Sequence, residues 1–236
     1  AGIQADLKTY AAFGVYGTSV LTAITAQNTR GVTAVSELPV DLIQAQIDAV
    51  LSDIGTDVVK IGMLSSAAII KTVSDKLKEH KIKDLVVDPV MVASSGSVLA
   101  DEATIAAFGS LMDVATLVTP NLPELAALGR DDAILAHGTA LPVKGGHAEG
   151  AEITDRLIAA DGTETRWTDA RIDTPHDHGT GCTLASAIAA GLGEGRALPE
   201  AIARARAFVR ASLCAAPDFV ADNGPMGQQA VRVEAL

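Results

Sequence analysis

Two histidines and two glycines stand directly before an alanine-rich stretch: His176-Asp177-His178-Gly179-Thr180-Gly181-Cys182-Thr183, then Leu184 to Leu192. Glycine lets backbone N–H groups turn toward a ligand, and a helix starting here adds a partial positive charge at its N-terminus. The combination suits an anion, in particular a phosphoryl group in transfer. A glycine turn that only starts a packed helix is the plainer alternative. The flanking histidines and the following Thr183 favour an anion hole built from Gly179, Thr180 and Gly181. Cys182 falls in the first turn, where the helix dipole is expected to lower its pKa and let a thiolate accept a proton from a substrate hydroxyl. A small buried residue is the competing reading of Cys182. Cys214, in an amphipathic stretch, is expected in the core.

Further polar residues sit where chemistry could use them. Asp88 closes the apolar run Leu85-Val86-Val87, and Asn121 and Glu124 follow Leu117-Val118-Thr119. Asn121 and Glu124 have capping-box spacing, a structural role. Together with Asp88, Glu124 also suits Mg²⁺ on nucleotide phosphates, since Mg²⁺ takes one or two carboxylates plus phosphate oxygens. Lys144 precedes Gly145 and Gly146, a placement that suits phosphate, although the spacing is not that of a Walker A loop. The Gln27 amide offers donor and acceptor to a heterocycle edge such as an aminopyrimidine, or simply faces water. Asp6 reads equally as an ordinary acid early in a helix.

These residues need a scaffold that brings them together. Short β-branched runs alternate with helical stretches along the chain. Strands are expected at 19–25, 56–61, 85–88, 116–119 and 141–144, with a hairpin of 153–159 and 163–167 split by Asp161-Gly162. Helices are expected at 39–54, 65–80, 101–112, 122–128 (ended by Gly129), 182–192 and 198–213. The alternation implies an α/β fold, an open and mostly parallel sheet with helices on both faces. Ligands then bind beyond the carboxyl ends of the strands, which points to Gln27, Asn28, Gly62, Met63, Asp88, Asn121, Lys144, Gly145 and Gly146.

Composition narrows the function classes. The 236 residues suit one domain, 1–236, and aromatics are only 3%, so aliphatic side chains must fill the core. The net charge of −11 disfavours nucleic acid and anionic membranes as partners. An anionic substrate must be held by local devices such as helix N-termini and single lysines. Two cysteines are too few for a disulfide framework and fit a reducing, cytoplasmic compartment. No apolar run approaches the ~20 residues of a membrane span, and no leader peptide is visible.

With these residues in view, the chain resembles the hydroxymethylpyrimidine/phosphomethylpyrimidine kinases of thiamine biosynthesis, in the ribokinase-like superfamily. The resemblance runs through AGIQADLKTYAAFG, SVLTAITAQNTRGV, KIGML, VVDPVMVASSG, LVTPNLPE, VKGGH and HGTGCTLASAIAA. It implies ATP with Mg²⁺ and a hydroxymethylpyrimidine, phosphorylated first to the monophosphate and then to the diphosphate. It implies that Gln27 reads the pyrimidine edge, with Asp6, Met63 and Val90 near it. Gly179, Thr180, Gly181 and Cys182 are then the catalytic anion hole, Cys182 standing where sugar kinases of the superfamily have Asp. Lys144, Asn121 and Thr180 are implied at the nucleotide, and Asp88 and Glu124 at the metal. A homodimer is implied by the resemblance alone.

Two departures from the family pattern set expectations. A strand and a Gly/Ser-rich loop usually precede AGIQAD, so a missing start is expected. The stretch from Arg130 to Ala140 is short, so a break near 129–132 is expected. Two other functions compete: a pyridoxal or pyridoxine kinase, and a non-catalytic pyrimidine-binding module. Retention of Lys144 and of the Gly179–Cys182 loop argues against the module, which needs neither.

Overall fold

A computed structural model of the chain describes residues 1–91, 100–145, 150–217 and 224–235. Its centre is a parallel trio, β3 (Val59–Ile61), β4 (Leu85–Val87) and β5 (Leu117–Val118), adjacent in that order. Along β4 successive side chains alternate between two cores, as the period of a strand requires. Leu85 and Val87 join a cluster with Ile43, Ile70 and Phe108; Val86 joins another with Ile188 and Phe208. Both faces are covered, so the strand reads as a continuous apolar run.

The first core is built with α2 (Val40–Asp53) and α3 (Ala67–Glu79), and the second with α1 (Ile3–Ala12), α8 (Thr180–Gly193) and α9 (Leu198–Cys214). Beyond β5, the bonds Val118 N–H to Ala140 O and Ala140 N–H to Thr116 O carry the sheet on to β6 (Leu141–Val143). From there pairing is antiparallel, through β7 (Glu152–Ile158) to β8 (Glu164–Ala170). The turn expected at Asp161-Gly162 is present: Gly162 has φ 83° and the Asp161 carboxylate accepts the Thr163 N–H at 2.9 Å.

Several boundaries differ from expectation. The strand expected at 19–25 is β1 (Ala23–Asn28), and it pairs with an unforeseen β2 (Gly31–Glu37). The Asn28 side chain accepts the Arg30 and Gly31 N–H groups at 2.8 and 3.2 Å, closing the turn between them. The ribbon is mostly exposed, so neither face carries the apolar alternation that reveals a strand. The helix expected over 101–112 is two short ones, α4 (Glu102–Ala107) and α5 (Gly109–Met112). Gly129 ends α6 (Leu122–Ala127) with φ 90°, and Arg130 at φ 71° opens α7 (Arg130–Leu135). Cys214 is exposed, not in the core. The stripe that α9 buries runs through Ala201, Ala205, Phe208 and Ser212, and Cys214 lies off it. Among the described residues no helix is long and apolar enough to cross a membrane.

The helix that carries the glycine turn is pressed tightly onto its neighbour. A Cβ at Gly191 would lie 2.9 Å from the Ala201 Cβ, so α8 and α9 approach to a distance that only glycine permits. Gly191→Ala is therefore expected to lower the melting temperature. Overpacking costs about 1–3 kcal/mol, against roughly 1 kcal/mol gained in helix propensity. An unchanged or raised melting temperature would show that α9 moves aside freely.

Candidate functional site

The glycine turn is shaped by backbone conformation. Gly179 sits at φ 92° and ψ 12°, left-handed, and α8 begins at Thr180 with no side chain capping its N-terminus. The Thr180 N–H turns back onto Asp177 O at 3.1 Å, so the Gly181 and Cys182 N–H groups and the positive end of the dipole are what the first turn offers a ligand. The C-terminal segment pins this turn from behind. The His178 N–H donates to Gly224 O at 3.2 Å, and the buried Gln228 amide donates to Thr183 Oγ1 at 3.0 Å. A Cβ at Gly224 would fall 2.3 Å from His176 Nδ1, so this return strand can pass only as glycine.

Beside the turn lies a buried ion pair that pattern reading passed over. Lys60 is the central residue of β3, its side chain is 2% exposed, and Nζ donates to both Asp6 oxygens at 2.9 and 3.1 Å. Asp6 Oδ1 also accepts from Ser186 Oγ at 2.7 Å. One carboxylate thus joins α1, β3 and α8. Burial alone would lower the Lys60 pKa, but Cys182, Asp6, Asp88 and the Asp6 hydrogen bond outweigh it and hold the ammonium above its ordinary range. The carboxylates supply that effect at neutral pH, because the Cys182 thiol is protonated there.

The thiol corrects one expectation. Cys182 was expected below its ordinary pKa on the strength of the helix dipole. Instead burial raises it, the charges of Asp88 and Asp6 push the same way, and Lys60 and the Gly2 N–H only partly oppose them. Two carboxylates and desolvation outweigh a half-charge at a helix end. Cys182 keeps some accessible surface and lines the cavity described below.

On the other side of the turn stands Asp88, 3% exposed, at the carboxyl end of β4. Its Oδ1 accepts from Thr119 Oγ1 at 3.2 Å, and its Oδ2 lies 3.8 Å from where a Gly181 Cβ would be. Glu124 is buried and completes the capping box foreseen with Asn121: Asn121 Oδ1 accepts the Glu124 N–H at 2.9 Å, and Glu124 Oε2 accepts the Asn121 N–H at 2.8 Å. Oε1 accepts the Met91 N–H at 3.3 Å. Burial pushes the Glu124 carboxyl up, against the pull of the Asn121 N–H. Both Glu124 oxygens thus already hold backbone, while Asp88 Oδ2 faces the glycine turn. The donor set fits Mg²⁺ with Asp88 as the direct ligand and Glu124 acting through water or through its hold on Met91. Among the described residues, Asp48, Glu79 and His80 also cluster, but the Lys76 ammonium already bonds Asp48 and Glu79 there, at 2.6 and 2.8 Å.

A cavity of about 1570 Å³ joins these groups. Gln27, Asp6, Met63, Val90, Asp88, Asn121, Glu124, Lys144, Gly179, Thr180, Gly181 and Cys182 all line it. The residues expected to touch pyrimidine, nucleotide or metal therefore line one space, as do Asn28 and Gly62, whereas Gly145 is not part of its lining. Gln27 comes in from the exposed ribbon, where the β1–β2 register shifts between Ala26 and Gln27, a bulge of the kind that re-aims a side chain. Gly146 and His147 of the glycine stretch lie outside the described residues, as does the end of VVDPVMVASSG. Lys60, Ser186 and Thr119 were missed. A lysine inside Val58-Val59-Lys60-Ile61 was the available signal, since a charge in an apolar strand must have a partner.

Comparison with known proteins agrees with this geometry. The family model described as phosphomethylpyrimidine kinase matches residues 1–227. The hydroxymethylpyrimidine/phosphomethylpyrimidine kinase of Rhizobium meliloti (strain 1021) is 48% identical over 231 residues, covering 92% of this chain and 86% of the relative. Among solved structures, an ADP complex of Bacillus subtilis pyridoxal kinase aligns with a TM-score of 0.88 at 33% identity, over 98% of this chain and 93% of that one. The phosphomethylpyrimidine kinase of Clostridium difficile 630 aligns at 0.77 and 39% identity, over 89% and 92%.

The Asp6–Lys60 pair is expected to dominate local stability. Lys60→Met leaves a mostly buried carboxylate unpaired and should cost about 3–5 kcal/mol in urea unfolding. Adding Asp6→Leu to it should recover much of that loss, and full additivity of the two substitutions would show no coupling. Because the folded pKa of Lys60 is raised, its contribution is fully present below the ordinary value of 10.5 and is lost as pH rises through the folded value. The wild-type advantage over Lys60→Met should therefore persist through neutral pH and shrink only in strong alkali.

Proposed function

The chain belongs to the phosphomethylpyrimidine kinase family, and from that premise we propose that it phosphorylates 4-amino-5-hydroxymethyl-2-methylpyrimidine with ATP, first to the monophosphate and then to the diphosphate. The observation that carries this reading is the uncapped N-terminus of α8 behind Gly179, opening into the cavity that Lys144, Asp88 and Gln27 also line. ATP supplies the phosphoryl group, and Mg²⁺ held at Asp88 would neutralise charge on its phosphates. Gly179 and Gly181 present N–H groups to the oxygens of the group in transfer, while the Thr180 N–H, which donates to Asp177 O, shapes the turn that aims them. Lys144 supplies a point charge for the nucleotide phosphates, which matters in a chain of net charge −11. Gln27 pairs with the amino edge of the ring, and Met63 and Val90 offer it apolar contact.

In the first step the hydroxymethyl oxygen attacks the γ-phosphorus, the bond from that phosphorus to the β-phosphate oxygen breaks, and the hydroxyl proton passes to the Cys182 thiolate. In the second step the acceptor is a phosphate oxygen that is already anionic, so no proton need be removed. Replacing Cys182 with Ala should therefore slow the first step by the ~10²–10⁴-fold typical of acid–base catalysis while sparing the second. Because burial raises the thiol above its ordinary value of 9.0, the first step should also accelerate with pH through the alkaline range. Single-turnover assays of each step across pH, with products resolved by mass, test this. Equal loss in both steps, or a first step flat with pH, removes Cys182 as the base.

The alignment with Bacillus subtilis pyridoxal kinase supports a second activity, phosphorylation of pyridoxal on the same site. Comparing kcat/KM for the pyrimidine and for pyridoxal ranks the two. Pyrimidine binding without ATP turnover would point instead to a binding module.

A further inference from the structure

Lys144 directly follows β6, whose ladder with β7 ends at Val143 opposite Arg156. The next N–H, that of Gly145, leaves the ladder and donates to Asp155 Oδ1 at 2.7 Å. Gly145 also presses onto β7, where a Cβ would lie 2.1 Å from Thr154 O. The other Asp155 oxygen accepts from Arg206 Nε at 2.8 Å. Arg206 extends from α9, is 8% exposed, bonds Asp169 Oδ2 at 2.7 Å through Nη2 and lies 5.6 Å from the Trp167 ring centre. Arg210 Nε approaches Asp169 Oδ1 at 3.7 Å, so two carboxylates face two guanidinium groups.

This arrangement costs desolvation that apolar packing would avoid, and buried ion pairs are poor sources of net stability. Their better-attested use is to fix a register. Here the register is that of the backbone carrying Lys144. The Gly145 N–H follows directly on Lys144, which lines the cavity, and glycine-loop N–H groups commonly meet phosphate, yet this one is committed to Asp155. At this point the chain therefore offers the nucleotide the Lys144 ammonium, and Asp155 sets where that ammonium stands.

We propose that Asp155 and Arg206 are positioning residues for the nucleotide: they hold the Lys144–Gly145 backbone in place and thereby set the affinity for ATP. The inference rests on the reading of Lys144 as a phosphate ligand. Charge and position predict opposite signs for Asp155. Removing a carboxylate beside a polyanion site strengthens ATP binding if only charge matters. It weakens binding if the carboxylate positions Lys144.

The test is steady-state phosphorylation of the hydroxymethylpyrimidine by the full chain, with ATP and pyrimidine varied separately and melting temperatures recorded. Asp155→Ala should raise the KM for ATP about tenfold, the size of one lost charge-assisted hydrogen bond, and move the KM for the pyrimidine less than about twofold. Asp155→Asn keeps an acceptor for Gly145 and should recover most of the loss. Arg206→Lys, the gentler change should Asp155→Ala fold poorly, should raise the KM for ATP about threefold by the same logic. An unchanged or lowered KM for ATP in Asp155→Ala overturns the proposal, as do parallel rises in both KM values. Lys144→Met separates the two readings. If it leaves the KM for ATP unchanged, the phosphate role of Lys144 fails and the inference with it. If it raises that KM and neither Asp155 nor Arg206 variants do, the inference alone fails.

Discussion

A single carboxylate holds the acceptor side of the cavity together. Asp6, from the first helix, takes two hydrogen bonds from the Lys60 ammonium and one from Ser186, so α1, β3 and α8 meet at one charge. Neither partner is stable there without the other, because an unpaired ion out of water costs several kcal/mol. The consequences reach the chemistry. Lys60 offsets the two carboxylates that crowd Cys182, and Ser186 ties the pair to the same helix whose N-terminus forms the glycine turn. Removing the ion pair would alter the electrostatics of the thiol and the seating of α8 together.

The electrostatic design is local throughout. A chain of net charge −11 repels a nucleotide as a whole. The cavity is lined instead by a helix end, the lysine that follows β6 and the Asp88 carboxylate. The same economy appears on the nucleotide side, where Asp155, Asp169, Arg206 and Arg210 balance two against two. A neutral cluster adds little long-range field but can fix a backbone. Two stretches of the cavity wall are thus each anchored by an internal ion pair, Lys60–Asp6 and Arg206–Asp155.

The acceptor end is less rigidly framed. Gln27 reaches the cavity from a two-stranded ribbon that is exposed on both faces and carries a bulge at the residue itself. A ribbon with few buried contacts is the kind of element that adjusts to its ligand at low cost. That placement accords with a scaffold shared by relatives named for a pyrimidine and for pyridoxal, two rings that each carry a hydroxymethyl group.

Much of this was legible in the residues. The alternation of apolar runs placed the parallel strands and most helices, because burial on both faces of a strand leaves a continuous apolar run and burial on one face of a helix leaves a period of 3.6. The Asn121–Glu124 spacing announced its capping box, and the His176–Thr183 motif announced a glycine turn at the start of a helix, since both depend on neighbours within a few positions. The ribbon was misjudged because an exposed strand carries no burial pattern, and Cys214 because one residue beyond a helix's buried stripe looks no different from one on it. The Cys182 pKa turned first on burial and then on charges 94 and 176 positions away, at Asp88 and Asp6, which no local rule could weigh against a helix dipole. By itself, then, the sequence determined the layers, the glycine turn and the family. Only the tertiary structure decided which charges face one another, because electrostatic energy depends on distance and burial in space and not on separation along the chain.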